Sequence, residues 1–521
     1  MRWRRARPDD PTRPQRSTQG RMLIAAVAGA AGVLSFAPLG WWPLQILSLA
    51  ILFYQVLRAA SVKASAWIGW AFGFGWCLAG VHWLYIVLNR FNNLSAPIAA
   101  IAIVLLSLFM GGYTALAMGG AAWLRKRWAM PLPAANLLVL PAAWAIGEWL
   151  RGWVFTGFPW ATAGYAHNIS PLAGYAPLLG VYGLSWLAAL TAGALLLAMH
   201  KSRWIALGLA ATTWLAGFAL QSLAWTHAAG RPISVRLVQG NIALERKFDP
   251  AQLEQTLRSY YRSVTAAPAD LIATPETAVP LFQHQLPTGY LDAFGQFARK
   301  SGSHVVLGIP VMDSPTNYSN SVLGLAPALG GAPYRYNKHH LVPFGEFIPL
   351  GFRWFTDMMQ IPLSEQTGGQ LLQPAFAVKD QRVLPNICYE NAFGEEIAQQ
   401  LNDAPQPATL LLNVSELGWY GQSVAIPQHL QISQMRSLET GRPMLSATNT
   451  GATVVIDSRG QVTHALPYYE AGVLSATVQG MSGSTPYIRL QNRLFLGLAA
   501  LAVAAAWLWS RQSAKKRLKS A

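Results

Sequence analysis

Long apolar stretches dominate the first two hundred residues of the chain. A helix needs about 20 apolar residues to cross a membrane, because each residue advances it by about 1.5 Å. Seven stretches before residue 225 suit such helices, and an eighth lies near the carboxyl end. They are residues 22–38, 43–57, 64–88, 94–124, 134–150, 177–199, 203–223 and 493–510. The pattern predicts a multi-pass α-helical membrane domain of eight spans.

Residues 225–489 follow a different pattern, in which short apolar runs alternate with amphipathic segments. We predict strands at 235–239, 271–273, 305–309, 410–414, 444–448 and 453–456, and helices at 250–266, 289–301 and 427–440. Alternating strands and helices predict a layered α/β fold. Ligands of such folds bind where strands end.

Composition and charge support this division of the chain. Of the 521 residues, 52% are hydrophobic and 12% are charged, which is too apolar for a purely soluble protein. The net charge is +17, but residues 225–489 hold 17 basic and 19 acidic residues, leaving 22 basic and 3 acidic residues elsewhere. The excess positive charge therefore belongs to the membrane part, which favours basic cytoplasmic loops over a surface for nucleic acid.

The basic residues also predict an orientation. They fall in alternate loops and at both termini, at Arg58, Lys63, Arg125, Lys126, Arg127, Lys201, Arg203 and the tail residues Arg511, Lys515, Lys516, Arg517 and Lys519. Cytoplasmic loops are enriched in lysine and arginine, so both termini should be cytoplasmic, with residues 225–489 across the membrane. The predicted parts are a basic tail 1–21, seven membrane helices 22–224, an outer domain 225–489, an eighth helix 490–510 and a basic tail 511–521.

Cys388 is the candidate nucleophile of the outer domain. It ends the apolar run Pro385-Asn386-Ile387 and is the only cysteine between residues 225 and 489, so it cannot form a disulfide within that domain. A free thiol is unusual in an oxidising compartment, and cysteine is a strong nucleophile. The alternative is a small buried hydrophobic residue, which is the interpretation we favour for Cys77 in the third span.

Two further charged residues follow predicted strand segments. A thiol that attacks an acyl carbon needs a base and a positive charge near the developing oxyanion. Glu276 could be that base if a sheltered site raises its pKa, and Lys338 could supply the charge. Taken singly, Glu276 could instead cap a helix, and Lys338 could be a solvated loop charge.

A charged and aromatic segment lies at the outer end of the fifth span. Glu148 and Arg151 are three residues apart, and Trp149, Trp153 and Trp160 follow the same stretch. An aromatic belt with an ion pair at the membrane interface accounts for this pattern. A binding edge for lipid headgroups is the second interpretation.

Four motifs resemble those of bacterial apolipoprotein N-acyltransferases, which are membrane-anchored members of the nitrilase superfamily. They are Thr274-Pro275-Glu276, the run from Tyr336 to Pro349, Cys388-Tyr389-Glu390 and Gly441-Arg442-Pro443. The resemblance extends over nearly the whole chain. It implies that the outer domain is an αββα sandwich.

The resemblance also implies roles for individual residues. Glu276 would be the general base, Lys338 the oxyanion stabiliser and Cys388 the nucleophile. Glu346 would be a second functional glutamate, and the site would be shaped by Tyr389 and Glu390.

The implied reaction has two halves. A phospholipid, typically phosphatidylethanolamine, would donate an acyl chain to Cys388 as a thioester. The α-amine of the N-terminal diacylglyceryl-cysteine of an apolipoprotein would then take that chain as an amide, in the last step of bacterial lipoprotein maturation. We expect no cofactor, no metal and no nucleic acid, and a monomer in the bacterial inner membrane with its catalytic domain in the periplasm.

The chain departs from the family pattern at two places. Ser415-Glu416-Leu417 stands where the family often has Ser-Asn-Asp, so the role of that Asn-Asp pair cannot be transferred. Phe248 stands where a tryptophan is frequent, which keeps an aromatic surface without the indole donor. We expect Phe248, and Trp419 three residues after Glu416, to support substrate binding.

Three other functions compete with this interpretation. A transporter would need polar residues at mid-membrane, and the spans have few of them. A membrane-tethered amidase would form the same thioester but resolve it with water. A Cys-His-Asn hydrolase could use His340 or His429, which would leave Glu276 and Lys338 without a role.

Residues 347–369 form a large apolar segment directly after the motif that contains Glu346. We predict a mobile lid that faces the outer leaflet, with Gly368 and Gly369 as its hinge. The lid residues are Phe352, Trp354, Met358 and Met359. Packing of these side chains beneath the domain is the alternative.

Overall fold

A computed structural model describes residues 17–92, 94–198, 200–328, 333–349, 351, 353 and 365–520. Within these ranges, the helices of eight residues or more are α1 Thr18–Gly32, α2 Trp42–Leu57, α3 Val62–Val81, α4 Ala96–Arg127, α5 Leu140–Arg151, α6 Ala176–Leu196, α7 Arg203–Leu220, α8 Pro250–Thr265, α9 Tyr290–Ser301, α10 Gly394–Asp403, α11 Ala425–Thr440 and α12 Arg493–Ser520. We refer to α1–α7, their connections and α12 as the membrane domain.

A helix lies in each of the eight predicted apolar stretches. Five segments of the described chain are long and apolar enough to cross a membrane: Val62–Val81, Ala96–Arg127, Pro171–Leu196, Arg203–Leu220 and Arg493–Arg517. Helices α1, α2 and α5 have 15, 16 and 12 residues. Several apolar helices are therefore confirmed, and the number of eight spans stays a prediction.

The strands of the α/β domain form two large sheets and one small one. In chain order they are β1 Thr226–Ala228, β2 Ile233–Gln239, β3 Leu271–Ala273, β4 His304–Ser314, β5 Asn317–Leu325, β6 Tyr334–Asn337, β7 Phe376–Val378, β8 Gln381–Ile387, β9 Leu410–Ser415, β10 Met444–Thr448, β11 Val454–Ile456, β12 Val462–Ala465, β13 Gly472–Val478 and β14 Met481–Gly483. The first sheet has the order β13-β2-β3-β4-β5-β6, the second has the order β12-β11-β10-β9-β8-β7, and β1 pairs with β14.

The two six-stranded sheets pack face to face. Val235 and Leu237 of the first sheet share one apolar core with Leu384 and Leu412 of the second. Helices α8 and α9 cover the outer face of the first sheet, and α10 and α11 cover the second. The predicted αββα sandwich is confirmed. Strand β9 is apolar throughout its first half because the sheet is covered on both faces.

Parallel pairing brings several strand ends to one edge of the sandwich. In the second sheet, β8 runs parallel to β9 and β9 runs parallel to β10. In the first sheet, β2, β3 and β4 are parallel. The carboxyl ends of these strands therefore lie together, where side chains from both sheets can meet.

Sequence-predicted strand bounds agree best where apolar runs are continuous, as at 271–273 and 444–448. Strand β4 extends to Ser314 because its second half pairs with β5, Asn317–Leu325. No strand was predicted for β5, since the polar run Tyr318-Ser319-Asn320 interrupts its apolar pattern. Pairing with β4 and β6 supplies the backbone partners that the local sequence does not indicate.

Helix α11 joins the sandwich to the membrane domain. The side-chain oxygen of Gln428 accepts hydrogen bonds from Trp160 Nε1 at 2.7 Å and Trp83 Nε1 at 3.3 Å. Near the other end of α11, Glu439 accepts a hydrogen bond from the amide of Val181 at 2.8 Å. The membrane domain therefore contacts the helix that packs against the second sheet.

The predicted ion pair at the end of the fifth span is present, with Arg151 Nη2 at 3.7 Å from Glu148 Oε1. Arg151 also donates to the carbonyls of Phe158 and Trp160, at 2.6 and 2.7 Å. The Glu148 carboxylate accepts from the amide of Ala163 at 2.8 Å. Arg151 and Glu148 Oε1 are thus used inside the protein, which favours a structural role over headgroup binding, while Glu148 Oε2 is buried without a hydrogen-bond partner among the described residues.

The aromatic belt is only partly as expected. Trp153 is half exposed, as a residue at a membrane interface should be. Trp160 is buried and belongs to the joint with α11 instead. Tertiary packing separates two tryptophans that look equivalent in the sequence.

Candidate active site

Three predicted catalytic residues meet at the shared strand edge. Glu276 follows β3, Lys338 follows β6 and Cys388 follows β8. Lys338 Nζ lies 3.5 Å from Glu276 Oε1, and the negative charge of Glu276 contributes to the raised pKa of the Cys388 thiol. All three side chains are almost completely buried. The structure therefore brings together residues that are 112 positions apart in the chain.

Strand β4 passes closely under the turn that carries Glu276. A side chain at Gly308 would place its Cβ atom 2.1 Å from the carbonyl oxygen of Pro275, which is far inside van der Waals contact. Thr277, directly after Glu276, has φ +49°, in the left-handed region that residues with a Cβ atom rarely adopt. The chain thus turns sharply at the end of β3, and this turn presents Glu276 to the strand edge.

The candidate nucleophile Cys388 lies on a strained turn. Cys388 has φ +52°, a conformation that costs a non-glycine residue on the order of 1–3 kcal/mol. The Glu390 carboxylate stabilises this turn by accepting hydrogen bonds from the amide of Ile387 at 2.5 Å and the amide of His339 at 2.6 Å. Glu390 thereby links the nucleophile to the segment that follows Lys338. Burial raises the pKa of Glu390 to about 7, although these amides act in the opposite direction.

Burial shifts the pKa of the proposed base Glu276 in the expected direction, but nearby cations and hydrogen-bond donors outweigh it. It raises the pKa of the Glu276 carboxyl, while the charge of Lys338, a hydrogen bond from Asn320, the amide of Glu416 and the charge of Lys247 lower it. The net pKa lies below its usual value, so the raised pKa that we expected from a sheltered site is wrong. The reason is that the buried site also contains cations and hydrogen-bond donors, which stabilise the ionised carboxylate. Glu276 is therefore ionised at neutral pH and able to accept a proton.

The pKa values of the Cys388 thiol and the Lys338 ammonium are both raised, for different reasons. Burial and the negative charge of Glu276 raise the pKa of Cys388 well above its ordinary value. Burial lowers the pKa of Lys338, but Glu346 and Glu276 outweigh it and the net pKa is raised. The resting site therefore contains a neutral thiol beside a fixed positive charge. If Cys388 acts as the nucleophile, its proton has to leave as the sulfur attacks.

Glu346 holds the lysine in place. Its Oε1 atom lies 2.8 Å from Lys338 Nζ and accepts a hydrogen bond from Asn320 at 3.3 Å. Its Oε2 atom accepts from the amide of Val342 at 2.8 Å. Glu346 and Glu276 thus flank one ammonium group, which keeps it charged in a buried site.

Tyr389 connects the turn that carries Cys388 to the membrane domain. Its hydroxyl donates to the carbonyl of Gly157 at 3.0 Å, and its ring packs edge-on against Phe393 at 5.1 Å. Two further contacts cross the same joint, from Tyr165 Oη to the carbonyl of Ala392 at 3.3 Å and between His340 Nε2 and the carbonyl of Thr156 at 2.9 Å. The catalytic turn therefore lies directly against the membrane domain.

The two expected aromatic supports lie at the periphery. Phe248 is 53% exposed, and Trp419 packs against Phe91 of the membrane domain with ring centroids 5.3 Å apart. The structure places neither residue in the hydrogen-bond network of the triad. The four lid residues Phe352, Trp354, Met358 and Met359 lie outside the described residues, so the lid stays a prediction from the sequence.

Neither alternative histidine is arranged as a base for the thiol. His340 Nδ1 lies 2.8 Å from Glu396 Oε1, and its other ring nitrogen contacts Thr156. His429 Nε2 faces the backbone carbonyl of Cys388 at 3.4 Å, and burial lowers its pKa to about 4. The geometry favours Glu276 as the base over a Cys-His-Asn arrangement.

Sequence reasoning missed three residues of the site. Asn320 donates to both Glu276 and Glu346, the amide of Glu416 donates to Glu276, and Lys247 donates to the carbonyl of Glu276. A polar side chain within a sandwich strand could have indicated Asn320. Lys247 gives no such signal, because it lies in the charged run Glu245-Arg246-Lys247 that reads as a solvated surface.

Comparison with known proteins agrees with the division of the chain into a helical membrane domain and an α/β domain. The apolipoprotein N-acyltransferase N-terminal domain family matches residues 28–194, and the carbon-nitrogen hydrolase family matches residues 234–487. The fold and the site thus define an enzyme of the carbon-nitrogen hydrolase class with a helical membrane domain. Among solved structures, an amidase from Nesterenkonia sp. is similar, with 18% identity, a TM-score of 0.37, and coverage of 52% of this chain and 96% of that chain.

Similar proteins that match over most of their length identify the family. The apolipoprotein N-acyltransferase of Ralstonia nicotianae is 48% identical over 488 residues, which cover 93% of this chain and 92% of the relative. That of Bordetella bronchiseptica is 42% identical over 523 residues, covering 93% and 96%. The chain belongs to the apolipoprotein N-acyltransferase family and is an acyltransferase.

Proposed function

We propose that this enzyme transfers an acyl chain from a phospholipid, with phosphatidylethanolamine the expected donor, to the α-amine of an N-terminal diacylglyceryl-cysteine. A thioester on Cys388 is the intermediate. The observation that carries the proposal is the buried cluster of Glu276, Lys338 and Cys388 directly beside the membrane domain. A lipid ester in the bilayer can approach such a nucleophile without crossing bulk water.

In the first half, Glu276 accepts the thiol proton as the sulfur of Cys388 attacks the ester carbonyl carbon. The negative charge that develops on the carbonyl oxygen is stabilised by the ammonium of Lys338. The carbon–oxygen bond then breaks, and the lysophospholipid leaves as an alcohol after taking the proton from Glu276. The acyl group remains on Cys388 as a thioester.

The second half uses the same groups in reverse. The amine of the lipoprotein attacks the thioester carbonyl carbon, and Glu276 takes the proton that the amine must lose. The carbon–sulfur bond breaks, the sulfur of Cys388 recovers a proton from Glu276, and the new amide leaves. Glu346 keeps Lys338 charged and aligned in both halves.

Resolution by an amine rather than by water fits the position of the site. Cys388 and Glu276 are each 6% exposed, so little water can reach the thioester. Both lipid substrates share the bilayer with the membrane domain.

Mass spectrometry of lipoprotein amino termini tests the transfer. Purified enzyme in phosphatidylethanolamine vesicles with a diacylglyceryl-cysteine peptide should produce a peptide heavier by one acyl chain, attached as an amide. Vesicles with empty detergent extract are the control. Release of free fatty acid with no acylated peptide would contradict the proposal and favour an amidase.

We further propose a monomer in the bacterial inner membrane, with eight spans, residues 225–489 in the periplasm, and both termini in the cytoplasm. The parts would be tails 1–21 and 511–521, seven helices within 22–224 and an eighth within 490–510. The alternation of basic loops supports this arrangement.

Cysteine labelling tests the orientation. In a background without Cys77 and Cys388, Arg459→Cys and Gln512→Cys place thiols at exposed sites on the α/β domain and after the last apolar segment. A membrane-impermeant maleimide added to intact spheroplasts should label only Arg459→Cys. Both should react after permeabilisation. Label on Gln512→Cys in intact spheroplasts would contradict the orientation.

A further inference from the structure

A second buried ion pair lies beside the triad. Lys247 Nζ is 2.5 Å from Glu416 Oε2, and the two side chains are 0% and 3% exposed. Buried ion pairs contribute little net stability compared with apolar residues of similar volume, because both charges lose their hydration. Stability alone therefore does not explain why the chain contains this pair, and its contacts with neighbouring residues indicate its role.

The pair holds Glu276 at two points. Lys247 Nζ donates to the backbone carbonyl of Glu276 at 3.0 Å, and the amide of Glu416 donates to Glu276 Oε2 at 2.8 Å. The other carboxylate oxygen accepts from Asn320 at 2.7 Å. Both oxygens and the main chain of Glu276 are thus anchored, on a turn whose next residue, Thr277, has a left-handed backbone.

Glu416 is itself held by further hydrogen bonds. Its Oε1 atom accepts from the amide of Gly418 and from Asn449 Nδ2, each at 3.1 Å. Glu416 follows β9, Asn449 follows β10, and Lys247 ends a helical turn after β2. The ion pair therefore joins both sheets across the strand edge. It also involves Glu416, the position where the chain departs from the pattern of its family.

We propose that the Lys247–Glu416 ion pair positions Glu276, setting the plane of its carboxylate toward the Cys388 thiol. Lys247 and Glu416 are positioning residues that act through Glu276, which they contact, and not through the Cys388 sulfur or the acyl group. This inference rests on the proposed role of Glu276 as the base. It predicts an effect on the rate of acylation and none on donor binding.

The double variant Lys247→Met/Glu416→Gln tests the proposal. It removes both charges at nearly constant volume and keeps the amide at position 416. We expect the rate constant for acylation of Cys388 by labelled phospholipid to fall about ten- to a hundredfold, since small misplacements of a catalytic group cost this much. The donor concentration at half-saturation should stay within about twofold of wild type.

The pH dependence of acylation separates positioning from general loss of structure. The charged or titratable groups around Glu276 are Lys338, Glu346, Cys388, Lys247, Glu416, Tyr420 and His429. Lys247→Met removes one cation that lowers the pKa of Glu276. The acidic limb, where Glu276 loses its proton, should therefore move to higher pH. In the double variant the negative charge of Glu416 is removed as well, so the net charge near Glu276 equals that of wild type. The acidic limb should therefore lie closer to the wild-type pH.

Arg436→Met/Glu439→Gln is the matched control. Arg436 and Glu439 form another ion pair, 1% and 0% exposed, within α11. Their replacement removes the same two charges without a contact to Glu276. This control should leave the acidic limb unchanged, and Glu416→Gln alone replaces the double variant if the latter does not fold.

The outcomes distinguish this inference from the proposed function. A wild-type rate of acylation in the folded Lys247→Met/Glu416→Gln variant would overturn the positioning role. So would an equal loss of rate together with a shifted acidic limb in the Arg436→Met/Glu439→Gln control. Wild-type acylation by Glu276→Gln would instead overturn the assignment of the base itself. An inactive Glu276→Gln together with a slowed double variant and an unshifted control supports both.

Discussion

Replacing Cys388 with alanine should abolish acyl transfer and leave the fold intact. The loss of a covalent nucleophile costs on the order of 10⁶-fold in turnover. The thiol is small and lies at a turn stabilised by Glu390 through backbone amides, which the substitution keeps. Wild-type enzyme incubated with labelled phospholipid should hold label that neutral hydroxylamine releases, because hydroxylamine cleaves thioesters. The alanine variant should hold none.

Cys77 provides the control for this experiment. It is the other cysteine of the chain and lies buried in α3, beside a cavity lined by Trp76 and Trp144. Cys77→Ala should retain label and near-wild-type transfer, because Cys77 lies in α3 and not in the α/β domain that carries Cys388. Hydroxylamine-labile label on Cys388→Ala would show that the acyl group is carried by a different residue.

Glu276→Gln and Lys338→Met should both block acyl-enzyme formation, by different routes. The glutamine cannot accept the thiol proton, and loss of a general base costs about 10²- to 10⁴-fold. The methionine removes the positive charge near the oxyanion, and loss of one such group costs about 10²- to 10³-fold. Rapid-quench measurement of labelled thioester reports both effects directly, at saturating phospholipid.

The pH dependence of acylation should distinguish the two variants. Lys338 is the leading cation that lowers the pKa of Glu276. Its removal leaves Glu276 and Glu346 without their shared ammonium, so the pKa of Glu276 rises and the acidic limb of the rate moves to higher pH. Glu276→Gln should lose that limb altogether. A near-normal acylation rate in either variant would show that its assigned role is wrong.

Local sequence was sufficient for the elements with continuous patterns. The long apolar runs predict helices, and the structure has a helix in every one of them. Short apolar runs such as Leu271–Ala273 and Met444–Thr448 predict strands at their observed bounds. Strand β5 could not be predicted, because its residues take a strand conformation only through pairing with β4 and β6.

The candidate site divides in the same way. Cys388, Glu276 and Lys338 could be found because each ends or follows a predicted strand segment within an unusual motif. Their contacts depend on parallel strands that lie far apart in the chain. The lowered pKa of Glu276 depends in turn on cations that only the folded sandwich brings near it.

The sequence by itself determined that this protein has an apolar helical part, an α/β part and candidate catalytic residues at strand ends. It could do so because hydrophobic periodicity and residue type are local properties. Only the tertiary structure decided which charges share that edge. Lys247 looks like a surface residue and is fully buried, while Phe248 next to it is exposed. The reason is that a buried charge is stable only where its partners meet it, and the partner Glu416, just after β9, lies 169 residues further along the chain.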